Sequence, residues 1–224
     1  MFGHADMEIR DVVVDMNMIF LYLNNIFLRR DKIATTYTFG FCENCNRFAG
    51  KRFEILGIAA GGSWITNTMD EFSDIDLVIV VDTNHEREIS QERMVIAEKL
   101  GNLLSAFTGE HVGEPRLIIC LYGPPLLHVD LKFVSLTDFI HRVEDPVILW
   151  QRNKILQETI DKGDAVYPLP NLQWIEDRFW VWVHYIATKL ARGEIFEAIE
   201  SISFIRTTIL GPLTLMKNGC LPEE

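Results

Sequence analysis

At 224 residues, with 48% hydrophobic and 24% charged residues, the chain has an ordinary globular composition and enough apolar content for a real core. Its formal net charge of −11 makes it a poor general nucleic-acid binder, whose affinity rests on Lys and Arg neutralising phosphates; it suits a cationic partner better, though solubility alone also accounts for it. Four cysteines exclude a disulfide scaffold at this length, so a reducing cytoplasm is the expected compartment.

Residues 8–30 read as an amphipathic helix ending in basic residues that suit its C-terminus. Its apolar run, Val12 to Leu28, is interrupted by Asp15, Asn17, Asn24 and Asn25, so no membrane span is expected. Its position and the missing small-residue cleavage site argue against a signal peptide. Residues 31–52 have no clear period and several turn formers, and a loop or small hairpin is expected. They carry a lone CxxC, Cys42 and Cys45, with no second CxxC to complete a zinc site.

"FEILGIAAGG" reads as a short strand followed by a Gly-Gly turn, and "DIDLVIVVD", Asp74 to Asp82, as a second strand. Helical spacing at Ile89, Ile96, Leu100, Leu103 and Phe107 predicts a helix over 86–107. Two apolar runs around Gly123-Pro124-Pro125 predict a hairpin-like strand pair. Everything beyond Thr137 reads as helical: one segment capped by Thr137, one starting at Pro146 and stopping at Gly163, and two longer ones, the last broken or kinked at Gly211-Pro212. The chain therefore divides into an α/β half, residues 1–136, and an all-helical half, residues 137–224.

Within "GGSWITNTMDEFSDIDLVIV", Asp74 and Asp76 fall on one face of a strand whose other face carries Ile75, Leu77 and Ile79. Two carboxylates about 6–7 Å apart repel by roughly 2–3 kcal/mol at an effective dielectric near 20. A divalent cation offsets that cost, and Mg2+ is usually held by one or two carboxylates plus substrate phosphates. Gly61-Gly62-Ser63 supplies the phosphate side: glycines allow close backbone approach, and exposed N–H groups with a Ser hydroxyl hold phosphate oxygens. Ser63 precedes Asp74 by eleven residues, room for one helical turn and a return into the acidic strand. Asp130 adds a third acid on a later strand, sharing its face with His128 and Lys132. It is placed to take the proton of an attacking hydroxyl or to complete a two-metal clamp.

Gly62-Ser63, Ser73-Asp74-Ile75-Asp76-Leu77 and Asp130 together resemble the signature of the DNA polymerase beta-type nucleotidyltransferase superfamily. "DEFSDIDLVIVV" and the tail "RFWVWVHYIATKLARGEIFEAIESI" are most similar to bacterial aminoglycoside adenylyltransferases of the streptomycin 6-adenylyltransferase kind. The motif-bearing resemblance covers about residues 53–134, and a looser one about 145–218. It implies an α+β protein: a mixed-sheet nucleotidyltransferase domain followed by helices that help bind the acceptor. It also implies Asp74 and Asp76 as Mg2+ ligands, Gly62 and Ser63 as holders of the triphosphate, Asp130 as the third catalytic acid, and ATP as donor by family habit. The implied activity is transfer of a nucleoside monophosphate to a hydroxyl, with antibiotic resistance as the family's role. The chain departs from the pattern at Asn67, where the family has a small residue, and residues 31–52 have no counterpart in it. Asn enters left-handed conformations more readily than most residues, which accommodates the first departure.

Glu176, Asp177, Glu110 and Glu114 are candidates for a negative cleft facing a cationic acceptor, and a solvated acidic surface is the competing reading. The aromatics Trp174, Phe179, Trp180, Trp182 and Tyr185 are expected to be mostly core, and Lys189 is a candidate for the triphosphate. An RNA or protein acceptor, and a non-catalytic nucleotide-binding protein on the same fold, are the alternatives.

Overall fold

Alternation along one strand sets the architecture of the computed structural model, which describes residues 33–219 apart from Glu71. The helix expected over 8–30 lies outside the described residues. In β2 (Ile75–Val81), Ile75, Leu77, Ile79 and Val81 are buried on one face. Asp76 and Val78 take the other face. β2 lies in a six-stranded mixed sheet with β1 (Ile55–Ala60), β3 (Leu103–Gly109), β4 (Glu114–Tyr122), β5 (Leu127–Ser135) and β6 (Val147–Gln151), in the order β3-β4-β5-β2-β1-β6. β2 and β5 pair in parallel; the other neighbours are antiparallel.

Two helices, α1 (Ile33–Gly50) and α3 (Glu86–Leu100), cover the fully apolar face. Ile89, Ile96, Ala97 and Leu100 of α3 pack with Ile75, Leu77, Ile118 and Leu131 of the sheet. Each such large side chain contributes about 1.5–3 kcal/mol on burial. Tyr122 Oη donates to the Ala97 carbonyl at 2.8 Å, which fixes α3 on the sheet. The opposite face is divided. Ala59, Val80 and Val134 form a smaller core with Phe139 of α4 (Leu136–Phe139) and Leu156 of α5 (Ile155–Ile160). Gly57 permits that docking, because a Cβ there would stand 2.4 Å from a Leu156 methyl. The rest of that face, towards the N-terminal ends of β2 and β5, carries the acids.

After β1 comes the one-turn helix α2 (Ser63–Thr66), and the C-terminal part holds α6 (Leu172–Ala191), α7 (Ile195–Ile205) and α8 (Gly211–Asn218). The Asn171 side chain caps α6 by accepting from Trp174 N at 2.9 Å. Residues 206–210 form a π-helical turn directly before Gly211-Pro212, so the expected break takes the form of a widened turn. Among the described residues, no helix is long and apolar enough to cross a membrane.

Several sequence expectations are corrected. Residues 33–50 are helical rather than a loop, because Thr38, Phe41, Cys42, Cys45 and Ala49 form one buried stripe that outweighs the weak propensities of Thr, Gly and Asn. Cys42 and Cys45 are therefore core residues, and burial pushes the Cys42 thiol up to about 12, far from a reactive thiolate. The helix expected over 86–107 stops at Leu100; beyond Gly101-Asn102 the chain turns into β3, so Leu103 and Phe107 are strand residues. Residues 147–151 form a strand, not a helix, because the apolar run pairs with β1 at the sheet edge. Periodicity cannot separate a short buried strand from a buried helical segment. Arg152, just after it, donates to the carbonyls of Ala49, Gly50, Arg52 and Ile55 and ties the end of α1 to the sheet. Ser135, not Thr137, caps α4, accepting from Asp138 N. The aromatic helix is mostly outside: Trp174, Trp180 and Tyr185 are exposed, and only Phe179 and Trp182 pack against the Ile175–Ile205–Ile209 cluster.

Candidate active site

The Gly-Ser turn is fastened to the acidic strand by its own backbone. Gly61 N donates to the Asp76 carbonyl at 2.9 Å, holding the end of β1 against the start of β2. Gly62 adopts φ 56° and ψ −138°, and a Cβ there would lie 2.5 Å from Asp76 Oδ2. Only glycine meets both demands. Ser63 opens α2, and Asn67 closes it at φ 55°, ψ 36°. The departure at Asn67 is thus absorbed by the left-handed conformation that Asn tolerates. The Asp70 carboxylate then accepts from Phe72 N at 2.8 Å and from Ser73 Oγ at 3.1 Å, which turns the chain into β2. Ser63 and Asp74 are joined by one helical turn and this Asx turn.

Parallel pairing of β2 with β5 sets Asp76 directly beside Asp130. Asp74, just ahead of β2, falls on the same face, as does His128, two residues before Asp130. The His128 ring lies between two acids, with Nε2 3.2 Å from Asp130 Oδ1 and Nδ1 3.9 Å from Asp74 Oδ2. The first contact lacks hydrogen-bond geometry, and Asp130 Oδ1 remains a buried oxygen with no hydrogen bond. Burial raises the Asp130 pKa above the ordinary aspartate value; His128 opposes that and the Asp74 charge adds to it. Among the described residues, no three His, Cys, Asp or Glu side chains already converge as a metal cage. Mg2+ does not require one, since it takes much of its shell from water and substrate phosphates. The orphaned Asp130 oxygen, the neighbouring Asp76 carboxylate and the Gly62 backbone fit a divalent ion arriving with a polyphosphate.

A cavity of about 360 Å³ opens beside these groups, lined among others by Gly61, Asp76, Asp130, Lys132, Arg116 and Glu144. Its charges are largely paired. Glu114 meets Arg116 at 2.8 Å and Lys132 at 2.9 Å, and Arg116 reaches Asp138 at 3.4 Å. The Arg116 hydrogen bonds, seconded by Lys132, hold the Glu114 carboxyl at about 2. Sequence reasoning gave no role to Glu144, whose Oε1 accepts from Gly62 N at 3.3 Å and so sits where the turn offers its N–H to an anion. Glu144 lies 82 residues from Gly62. No local pattern could have signalled it.

The other candidates are not gathered here. Glu110, Glu176 and Asp177 lie outside this cavity's lining, and Asp177 accepts from Gln173 within α6 at 2.8 Å. Lys189 is ion-paired with Glu194 and lies 5.2 Å from the centroid of the Tyr185 ring, so its charge is satisfied locally.

A family model described as "Nucleotidyltransferase domain" matches residues 42–155, from the middle of α1 to the start of α5. The chain belongs to the nucleotidyltransferase domain family. The match includes the Gly-Ser turn, all three acids and β6. No curated protein sequence matches the chain. Among solved structures, it is similar to a nucleotidyltransferase-like protein from Exiguobacterium sibiricum, at 14% identity and a TM-score of 0.33, over 79% of this chain and 56% of that one. The chain thus spans little more than half the length of that neighbour. Family membership supports nucleotidyl transfer in general, on an α+β domain with a mixed sheet and helices after it.

Proposed function

We propose that the chain is a divalent-metal-dependent nucleotidyltransferase that moves a nucleoside monophosphate, AMP from ATP as the working donor, onto a hydroxyl of a small molecule in the cytoplasm. The observation that carries this reading is the side-by-side register of Asp76 and Asp130, with the Gly61-Gly62-Ser63 turn bonded to Asp76. Asp74, Asp76 and Asp130 would hold Mg2+, which supplies charge neutralisation at the attacking and leaving oxygens. The Gly61-Gly62-Ser63 turn binds the triphosphate through the Gly62 N–H and the Ser63 hydroxyl, displacing Glu144 from Gly62 N. The acceptor oxygen bonds to the α-phosphorus as the α–β phosphoanhydride bond breaks, and pyrophosphate leaves with the electron pair. Asp130, set beside Asp76 by the strand register, receives the hydroxyl proton.

An aminoglycoside is one acceptor class to test. The paired state of Glu114 leaves fewer free acids at the cavity than a polycationic acceptor would use. Incubation with ATP and Mg2+ against aminoglycosides and other hydroxyl compounds, RNA ends and protein tests the assignment. Pyrophosphate release with one small acceptor is the expected result. ATP binding without turnover on any acceptor would favour a regulatory nucleotide-binding protein.

A further inference from the structure

The proposed chemistry needs the Gly62 N–H to meet a phosphate oxygen, yet a carboxylate of the chain already sits on it. Glu144 Oε1 accepts from Gly62 N at 3.3 Å. Sheet register puts it there. β6 runs antiparallel to β1 with Val147 opposite Ala60, so the residues just ahead of Val147 lie alongside the Gly61-Gly62 turn that follows Ala60. The segment is tied at its other end as well. The Arg142 guanidinium donates to the Asp145 carboxylate at 2.6 Å and to the Ile160 carbonyl at 3.1 Å, and Val166 N donates to the Arg142 carbonyl at 2.9 Å. Between these anchors Glu144 is exposed and reaches back over the bare backbone of the turn. A Cβ on Gly61 would stand 3.0 Å from Glu144 Oε1, and one on Gly62 would stand 2.5 Å from Asp76 Oδ2, so two carboxylates flank the same two glycines. Acids that share a turn repel one another, and a single backbone N–H offsets only part of that cost. Glu144 is therefore held in place by its backbone but bound weakly by its side chain.

We propose that Glu144 is a built-in competitor for the phosphate position: it occupies the Gly62 N–H before nucleotide binds, and it sets how tightly a polyphosphate is held. The inference rests on the reading of the turn as the triphosphate holder and deepens it. A triphosphate that arrives with its metal is partly neutralised and takes the N–H, and the Glu144 side chain turns out to water while its backbone stays anchored. A polyphosphate without metal meets Glu144 and Asp76 together. Glu144 thus favours the metal-charged form.

Calorimetric titration of the full chain with ATP and with inorganic tripolyphosphate, each with Mg2+, reads the competition. Glu144→Ala should tighten both ligands by the same factor, about three- to tenfold, as for removal of one competing hydrogen bond. Glu144→Asp keeps the charge and shortens the arm by one methylene, and it should tighten both ligands too. An unchanged affinity in Glu144→Asp beside a gain in Glu144→Ala would mean a general charge effect and overturn the proposal. The Gly62 amide resonance should move in Glu144→Ala without any ligand; an unmoved resonance would show that the contact is not made in solution. Native binding that stays the same or weakens in Glu144→Ala would overturn this inference and leave the turn standing as the phosphate holder. No binding of either ligand, by the native chain or by Glu144→Ala, would overturn both.

Discussion

The sheet and the C-terminal helices use the same kinds of residue in opposite ways. In the sheet, Ile75, Leu77, Ile79 and Val81 are all buried, so a carboxylate on a strand is conspicuous and needs a reason. In α6 and α7, Ile175, Ala198 and Ile205 are buried while Trp180 is 67% exposed and Phe196 81% exposed. Apolar residues there outnumber the positions that a small three-helix cluster can bury. A carboxylate set beside another carboxylate in the sheet, as Asp76 is beside Asp130, therefore points to function, whereas an apolar residue in these helices does not by itself point to core.

The sharpest way to break this comparison is at the acids. Asp76→Asn is expected to lower pyrophosphate release with any productive acceptor by about 10²–10³ or more, as for loss of one preorganised electrostatic group. Metal-free, the same protein should keep its native circular-dichroism spectrum and a cooperative thermal melt. A fall in melting temperature matching the fall in activity would make Asp76 a structural residue instead.

Next in size come the cores. Leu156→Ala should cost about 2–5 kcal/mol in denaturant unfolding, since Leu156 is fully buried against Gly57 and the sheet. Ile209→Ala should cost a similar amount in the helical cluster. Gly62→Ala should cost about 1–3 kcal/mol through backbone strain, and should also weaken nucleotide binding, because its Cβ would push on Asp76 Oδ2. By contrast, Phe196→Ser should change stability by no more than about 0.5 kcal/mol. A cost near that of Ile209→Ala would mean that the α7 face is covered in solution.

A further effect is a pH dependence. The Glu114 carboxyl is depressed from 4.5 to about 2 by Arg116 and Lys132, so its pairing stabilises the fold fully above about 4.5. That contribution is lost as pH falls from about 4.5 towards 2, and Glu114→Gln should remove this part of the acid sensitivity in thermal melts.

Legibility in the sequence followed the range of the interactions. The Gly-Ser turn, the single turn of α2 and the return through Asp70 are local, and Asn67 takes the left-handed conformation its residue type suggests. Asp74 and Asp76 announced themselves because strand alternation puts both on one face. The α1 helix and the β6 strand were not legible, since each owes its state to a distant surface: the buried stripe from Thr38 to Ala49 needs the sheet, and Val147–Gln151 needs the free edge of β1. The bridge from His128 to Asp74 and the bond from Glu144 to Gly62 exist only after β5 pairs with β2 and the chain returns past the turn.

The central claim is that the Gly61-Gly62-Ser63 turn and the acids of β2 and β5 hold one metal–nucleotide complex. Calorimetric titration of the native chain with ATP, with and without divalent metal, and of Asp76→Asn tests it most directly. The account predicts saturable binding that requires the metal and is lost in Asp76→Asn with the fold intact. Binding that is equally tight without metal, or unchanged in Asp76→Asn, would contradict it.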